Sequence, residues 1–339
     1  MRTFATSGCA VRALALVESL QLRFVRELED IAGLAFRQVE WFRDEGRHGG
    51  GQRFALSDTP LLGRASVNVS QVQYDDDPDR RLASASALST IVHPSHPCAP
   101  SVHLHVSWTE QKNGRGYWRI MADLNPSLPN DAHRDHFAAA LRQAAQETFE
   151  EAVRQGDRYF FIPALNRHRG IIHFYLEDYY SGDFADDCGL AIRVGEAAID
   201  AYAAILRHAI KDAPEPSDDQ QAAQLAYHTL YFFQVLTLDR GTTTGLLIHD
   251  QNDIGILGSL PPRIDKNLLS SWRSRMVEPQ TRLLDRLLAA LPNQGICTID
   301  ESIKQKLATA VRSHYLQYPD ALDLQASGNT TPPTIDNHR

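Results

Sequence analysis

The chain has 339 residues, with 34 lysines and arginines against 42 aspartates and glutamates, and a formal net charge of -8. That length and a hydrophobic share of 43% suit a globular protein with a sizeable core. The acidic balance argues against a nucleic-acid partner, and no uncharged apolar run approaches the ~18 residues of a membrane span.

The residues Cys9, Cys98, Cys188 and Cys297 form no CxxC pair. They exclude a zinc ribbon and read as isolated thiols in a reducing compartment, the cytoplasm. In chain order, Val11, Leu14, Val17, Leu20, Phe24, Leu28, Ile31 and Leu34 recur at helical steps and predict a helix over 10–45, ending at Gly46. The loop RHGGGQRF (47–54) follows. From about 64 to 126 the period changes to two, in VNVSQVQY, VHLHVSW and YWRIMADL, and predicts strands.

A helix is predicted over 131–155, with Asn130 or Asp131 as its cap. YFFIP (159–163) and GIIHFYLED (170–178) read as strands, and 187–210 as a helix. After the polar break DAPEPSDD (212–219), HTLYFFQVLTL (228–238), TGLLIHD (244–250) and DIGILGSL (253–260) read as further strands. Helices are predicted near 267–290 and 300–317, and the Pro/Thr-rich end reads as a loose tail. Strands in succession, helices in blocks and no glycine-rich dinucleotide fingerprint point to an α+β fold: a large, mostly antiparallel sheet flanked by helices.

The hairpin between 101 and 126 is the most informative stretch. Side chains alternate along a strand, so Val102, Leu104, Val106 and Trp108 share one face and Ser101, His103, His105 and Ser107 the other. With the turn QKNGRG centred near Asn113, His103 comes opposite Asp123, His105 opposite Met121, and Ser107 opposite Arg119. Cross-strand partners lie ~4.5–5.5 Å apart at Cβ, within reach of a direct His103–Asp123 interaction. Three readings follow from the residues: an acid–base pair, a structural hydrogen bond in a polar layer, or a metal site of His103, His105 and Asp123.

These residues also carry a family resemblance. VHPSHPCAPSVHLHV (92–106), ADLNP (122–126), RGIIHFYLED (169–178), LDRGTTTGL (238–246) and ILGSLPP (256–262) resemble, in order and spacing, segments of the oxygen-dependent coproporphyrinogen III oxidases. GRHGGGQR (46–53) and VNVSQV (67–72), which includes Ser70, are similar to that family's glycine loop and following strand. The resemblance implies a single curved-sheet domain over 1–272, leaving a helical extension over 273–324 and a flexible tail over 325–339. It implies a cytoplasmic homodimer without metal or organic cofactor, using dioxygen as co-substrate to decarboxylate propionates of a pyrrolic substrate to vinyl groups. His103 and Asp123 would be catalytic, and Ser70, His105, Arg119, Arg169 and Arg240 would bind substrate.

Several family positions depart from that pattern. The strand arginine is Ser107 here, the glycines before the aspartate are Ile120 and Met121, and two further arginine-bearing motifs become Ala164–Arg167 and Ala226–Leu230. At roughly 1.5–3 kcal/mol per charged hydrogen bond, three lost arginine contacts would weaken binding of a tetracarboxylate by ~4–9 kcal/mol if additive. The sequence therefore leaves three functions open: the family reaction, oxidation of a smaller electron-rich heterocyclic carboxylate, or a non-catalytic tetrapyrrole-binding homologue.

Overall fold

The computed structural model describes residues 1–211, 213–330 and 333–339. Asp212, at the start of the predicted polar break, and Thr331 and Pro332, in the predicted tail, lie outside the described residues. The elements in chain order begin with α1 (Gly8–Ala32), β1 (Arg37–Phe42), β2 (Gly49–Ser57), β3 (Leu62–Gln73), β4 (Leu82–Pro94), β5 (Ser101–Gln111) and β6 (Gly116–Asn125). Next come α2 (Asp131–Ala145), α3 (Phe149–Phe160), the short strands β7 (Phe161–Ile162) and β8 (Arg167–His168), and β9 (Ile172–Tyr179). The second half holds α4 (Phe184–Ile210), α5 (Asp218–Thr237), α6 (Arg240–Ile248), α7 (Asp253–Ile256), β10 (Arg263–Asp265) and α8 (Lys266–Ser271). It ends with α9 (Gln280–Ala290), β11 (Ile296–Thr298), α10 (Glu301–Gln317) and α11 (Thr334–His338).

The main sheet is antiparallel throughout, in the order β1-β2-β3-β4-β5-β6-β9. Period two explains its two faces. Val67, Val69, Leu88, Val102, Leu104, Val106, Ile120, Ala122 and Leu124 pack against Leu16, Val17, Leu20, Phe24 and Leu28 of α1 and Leu190, Val194, Ile199 and Leu206 of α4. Each such side chain, removed fully from water, contributes roughly 1.5–3 kcal/mol. The opposite face is covered by a second core built from α5, α6 and the C-terminal helices, into which Ile91, Met121 and Tyr175 project. The cavity lies between this face and that core.

The helix starts follow local chemistry. Ser7 accepts from the Ala10 amide, Asp183 from Ala185 and Asp186, and Ser217 forms a reciprocal capping box with Gln220. Three predicted boundaries change. α1 stops at Ala32 because Gly33 takes a left-handed φ of 64°, and the chain then enters β1. The helix predicted over 131–155 breaks at Gln146, whose φ of 49° separates α2 from α3. The strands predicted at 228–238, 244–250 and 253–260 are helical: α5, α6 and α7. No described helix is long and apolar enough to cross a membrane.

The end of the chain packs instead of splaying into solvent. Thr334 is 3% exposed, Ile335 6% and Asn337 0%. Gln111 donates to Asn337 at 2.6 Å, and Asn337 donates to the Tyr117 hydroxyl at 3.3 Å.

Candidate active site

The β5–β6 hairpin turns at Asn113–Gly114, where Gly114 holds a φ of 85°. Its register pairs His103 with Asp123, His105 with Met121, and Ser107 with Arg119, as the alternation predicts. All of these but Asp123 face a cavity of about 220 Å³ walled by the polar faces of β3, β4 and β5, by Met121 and Tyr175, by α6 and the α7 region, and by Thr334 and His338 of α11. In the glycine loop, Gly50 holds a φ of 145°, and a side chain there would run into the backbone of β1.

At one end, Asp123 is fully buried and ion-paired with Arg169 at 2.5 Å. The Asn125 amide donates to the same carboxylate at 2.6 Å. Arg169 donates its other amino group to Gln234 at 2.5 Å, and its guanidinium sits between the rings of Phe160 (4.3 Å) and Tyr231 (4.6 Å). Burial alone would raise the Asp123 pKa; the Arg169 charge, His103 and the Asn125 amide together outweigh it, and the carboxyl is held well below its usual range.

His103 Nδ1 lies 3.5 Å from Asp123 Oδ1 and 3.4 Å from an Arg169 amino group. Asp123 Oδ1 has no other partner, whereas Arg169 is already bonded to Asp123 and Gln234. The tautomer that satisfies the carboxylate carries its proton on Nδ1. In that tautomer Nε2 of this cavity-lining imidazole is an acceptor; in the other, Nδ1 accepts from Arg169 and Nε2 donates.

At the other end, Glu177 is the organising charge. Its carboxylate accepts from Arg240 at 2.6 Å, Arg119 at 3.4 Å, the Tyr175 hydroxyl at 3.0 Å, and the backbone amides of Asn329 and Thr330 at 2.6 and 3.4 Å. Burial raises its pKa, the two guanidiniums lower it further, and the net position is about 2. Asp239 caps α6 through the Thr242 amide at 2.6 Å and accepts from the Tyr159 hydroxyl at 3.0 Å. The same hydroxyl accepts from the Arg240 amide at 3.1 Å, so the segment after Leu238 sets where the Arg240 side chain begins.

Of the residues singled out by sequence, Ser70, His103, His105 and Arg119 line the cavity. Asp123 and Arg169 lie buried behind His103 as a pair, and Arg240 reaches Glu177. His105 bonds Ser107 at 3.0 Å; burial, then the Arg119 charge, push its pKa well below the usual imidazole range. Among the described residues, no three or more His, Cys, Asp or Glu side chains are grouped as metal ligands would be.

Sequence reasoning missed Glu177, Tyr159, Tyr175, His249 and His338. Glu177 and Tyr175 were legible in principle, because HFYLE alternates and β9 adds to β6 with Tyr175 opposite Met121. His338 could not be found that way. It approaches His249 at 2.9 Å across 89 residues of chain.

A family model described as coproporphyrinogen III oxidase matches residues 12–287. The match takes in every element of the main sheet and all three residues of the His103–Asp123–Arg169 cluster, and it stops before α10 and the Asn329 and Thr330 amides that reach Glu177.

Proposed function

The chain belongs to the coproporphyrinogen III oxidase family of oxidoreductases, and from that premise we propose that it is a dioxygen-dependent oxidase of a pyrrolic ring smaller and less charged than a tetracarboxylate porphyrinogen. The observation that carries this reading is the pairing of the arginines around the site: Arg169 is committed to Asp123, and Arg119 and Arg240 to Glu177. A ligand with four carboxylates would have to displace those protein carboxylates. Each broken buried pair would cost about 3–5 kcal/mol. The cavity volume of about 220 Å³ is of the order that holds a compact aromatic ring.

In this reading His103 meets the substrate and Asp123 acts through it. Nε2 of His103 accepts a proton from the electron-rich ring, and the Asp123 carboxylate, itself fixed by Arg169, faces Nδ1 and stabilises the imidazolium. With a propionate side chain the overall reaction balances as follows. One propionate, one dioxygen and one proton give one vinyl group, one carbon dioxide and one hydrogen peroxide. A C–H bond on the carbon next to the ring breaks, its proton leaving and its electron pair passing through the ring to dioxygen; the bond to the carboxylate carbon then breaks, and its pair forms the vinyl double bond. Operation without metal or organic cofactor, a homodimer and a cytoplasmic location belong to the same proposal. Elemental analysis and light scattering of the purified protein test the first two.

The deciding experiment measures oxygen uptake and peroxide release with coproporphyrinogen III and with pyrrole and indole monocarboxylates. Turnover of the small rings and none of the macrocycle is the expected result. Conversion of coproporphyrinogen to a divinyl product would restore the family reaction. The complete burial of the Asp123–Arg169 pair also favours a second reading, a binding protein without chemistry. Any substrate-dependent activity lost in His103→Ala, with the fold intact, removes that reading.

A further inference from the structure

We propose that the described residues 326–330 and 333–339, which lie beyond the family match, form a specificity strap: they close the Glu177 end of the cavity and restrict the site to a compact ring with at most one carboxylate. The inference rests on the reading that this cavity takes a pyrrolic ring.

The strap is tied down at every step the structure describes. The Ala326 amide donates to the Leu238 carbonyl at 3.0 Å, beside Gln325, which donates to Thr243 at 2.5 Å and Tyr315 at 3.0 Å. Gly328 then crosses the Arg240–Glu177 pair so closely that a Cβ there would overlap both side chains. The amides of Asn329 and Thr330 point at Glu177, and Arg158 bonds the Asn329 side chain. Further on, Arg119 donates to Thr334 at 3.1 Å, and Gln111 holds Asn337. His338 meets His249, and the Arg81 amide donates to the Arg339 carbonyl at 2.8 Å.

The arrangement has a chemical meaning. Two guanidiniums, a phenol and two backbone amides converge on one carboxylate, which is the donor set that would receive a carboxylate on a ligand. Here the occupant is Glu177, and the amides that complete the set come from the strap. Thr334 and His338 then supply cavity wall where a second substituent of a large ring would lie. Thus the protein's own acid fills the anion socket, and its own chain covers it.

The test compares the intact chain with a chain ending at Gln325, and with full-length Gly328→Val, whose added side chain forces the strap off the Arg240–Glu177 pair. Coproporphyrin III, a stable tetracarboxylate macrocycle, and indole-2-carboxylate serve as probes. Quenching of tryptophan fluorescence reports binding, because Trp41 lines the cavity. Far-UV circular dichroism confirms that each variant is folded. Removal or displacement of the strap is expected to tighten porphyrin binding at least tenfold, with little gain for the indole.

Porphyrin affinity within twofold of the intact chain in both variants overturns the strap, whatever the oxygen assay gives. So does an intact chain that already binds the macrocycle as tightly as the variants. A tenfold gain in a protein that consumes no oxygen with any pyrrole would keep the strap and remove the oxidase reading.

Discussion

Asp123 and Glu177 are both buried carboxylates facing arginines, and both titrate below their ordinary range, yet they are assembled differently. Asp123 meets one guanidinium, one amide side chain and one imidazole, all from the region that the family model covers. Glu177 meets two guanidiniums, a phenol and two backbone amides, and those amides belong to a segment 152 and 153 residues further along, outside that region. The first assembly draws on one hairpin and on Arg169 in the β8–β9 connection. The second depends on where the end of the chain docks. The family-matched region thus supplies one of these carboxylate sites complete, while the other takes two of its donors from residues beyond that region.

The largest expected effect tests the Asp123 assembly. Asp123→Ala leaves the Arg169 guanidinium buried without its counter-charge, and urea unfolding should show a loss of about 3–5 kcal/mol. A loss below about 1 kcal/mol would mean that Gln234 and the flanking rings suffice for Arg169, and the contrast would collapse. Glu177→Gln should cost less, about 1–3 kcal/mol, because the amide oxygen still accepts from the strap amides and from Arg240.

Acid titration separates the two ends further. Glu177 moves from 4.5 to about 2 on folding, so the stability it supplies is complete above pH 4.5 and is lost as pH falls through 2. Melting temperature against pH should therefore fall through that window in the native chain, and less steeply in Glu177→Gln. An unchanged slope would show that the other depressed carboxyls, Asp123 and Asp157 among them, carry the acid sensitivity.

A smaller effect comes from a buried cation with no such partner. Lys304 is 7% exposed; burial, then the charges of Arg64 and Arg53, lower its pKa to about 7. Its folded form loses the proton first, so the cost of burying its charge is fully present below pH 7 and fades as pH rises toward 10.5. Lys304→Met should stabilise the protein at pH 6, on the order of 1 kcal/mol, and by less at pH 9. Equal melting temperatures at both pH values would show that water reaches the amine.

The hairpin and its register were legible because alternation and an Asn-Gly turn are local signals, and a single polar face at 101–107 fixes which residues look at the cavity. The helix α5 was not legible. Every residue from Tyr227 to Thr237 is buried, so no polar stripe marks the 3.6-residue period, and the aromatic-rich run imitates a strand. The overrun of α1 had the opposite cause: Leu34 and Phe36 continue the apolar rhythm past Gly33, although the glycine itself was the stop signal. The strap was hidden by composition. Pro, Thr and Asn read as solvated chain, and their order comes from bonds such as Gln111–Asn337, which span 226 residues.

Arg64 fixes how this cavity can breathe. Its fork spends itself on backbone, donating to the carbonyls of Leu260 at 2.9 Å, Pro261 at 3.2 Å and Ile299 at 2.9 Å. It thereby rivets the second core to the sheet at the end of the strands nearer His103 and away from Arg119. The roof is tied at the opposite ends of the strands as well, where Arg43 donates to the Ile248 carbonyl at 2.8 Å, so α6 and the segment after α7 are both bonded to the sheet.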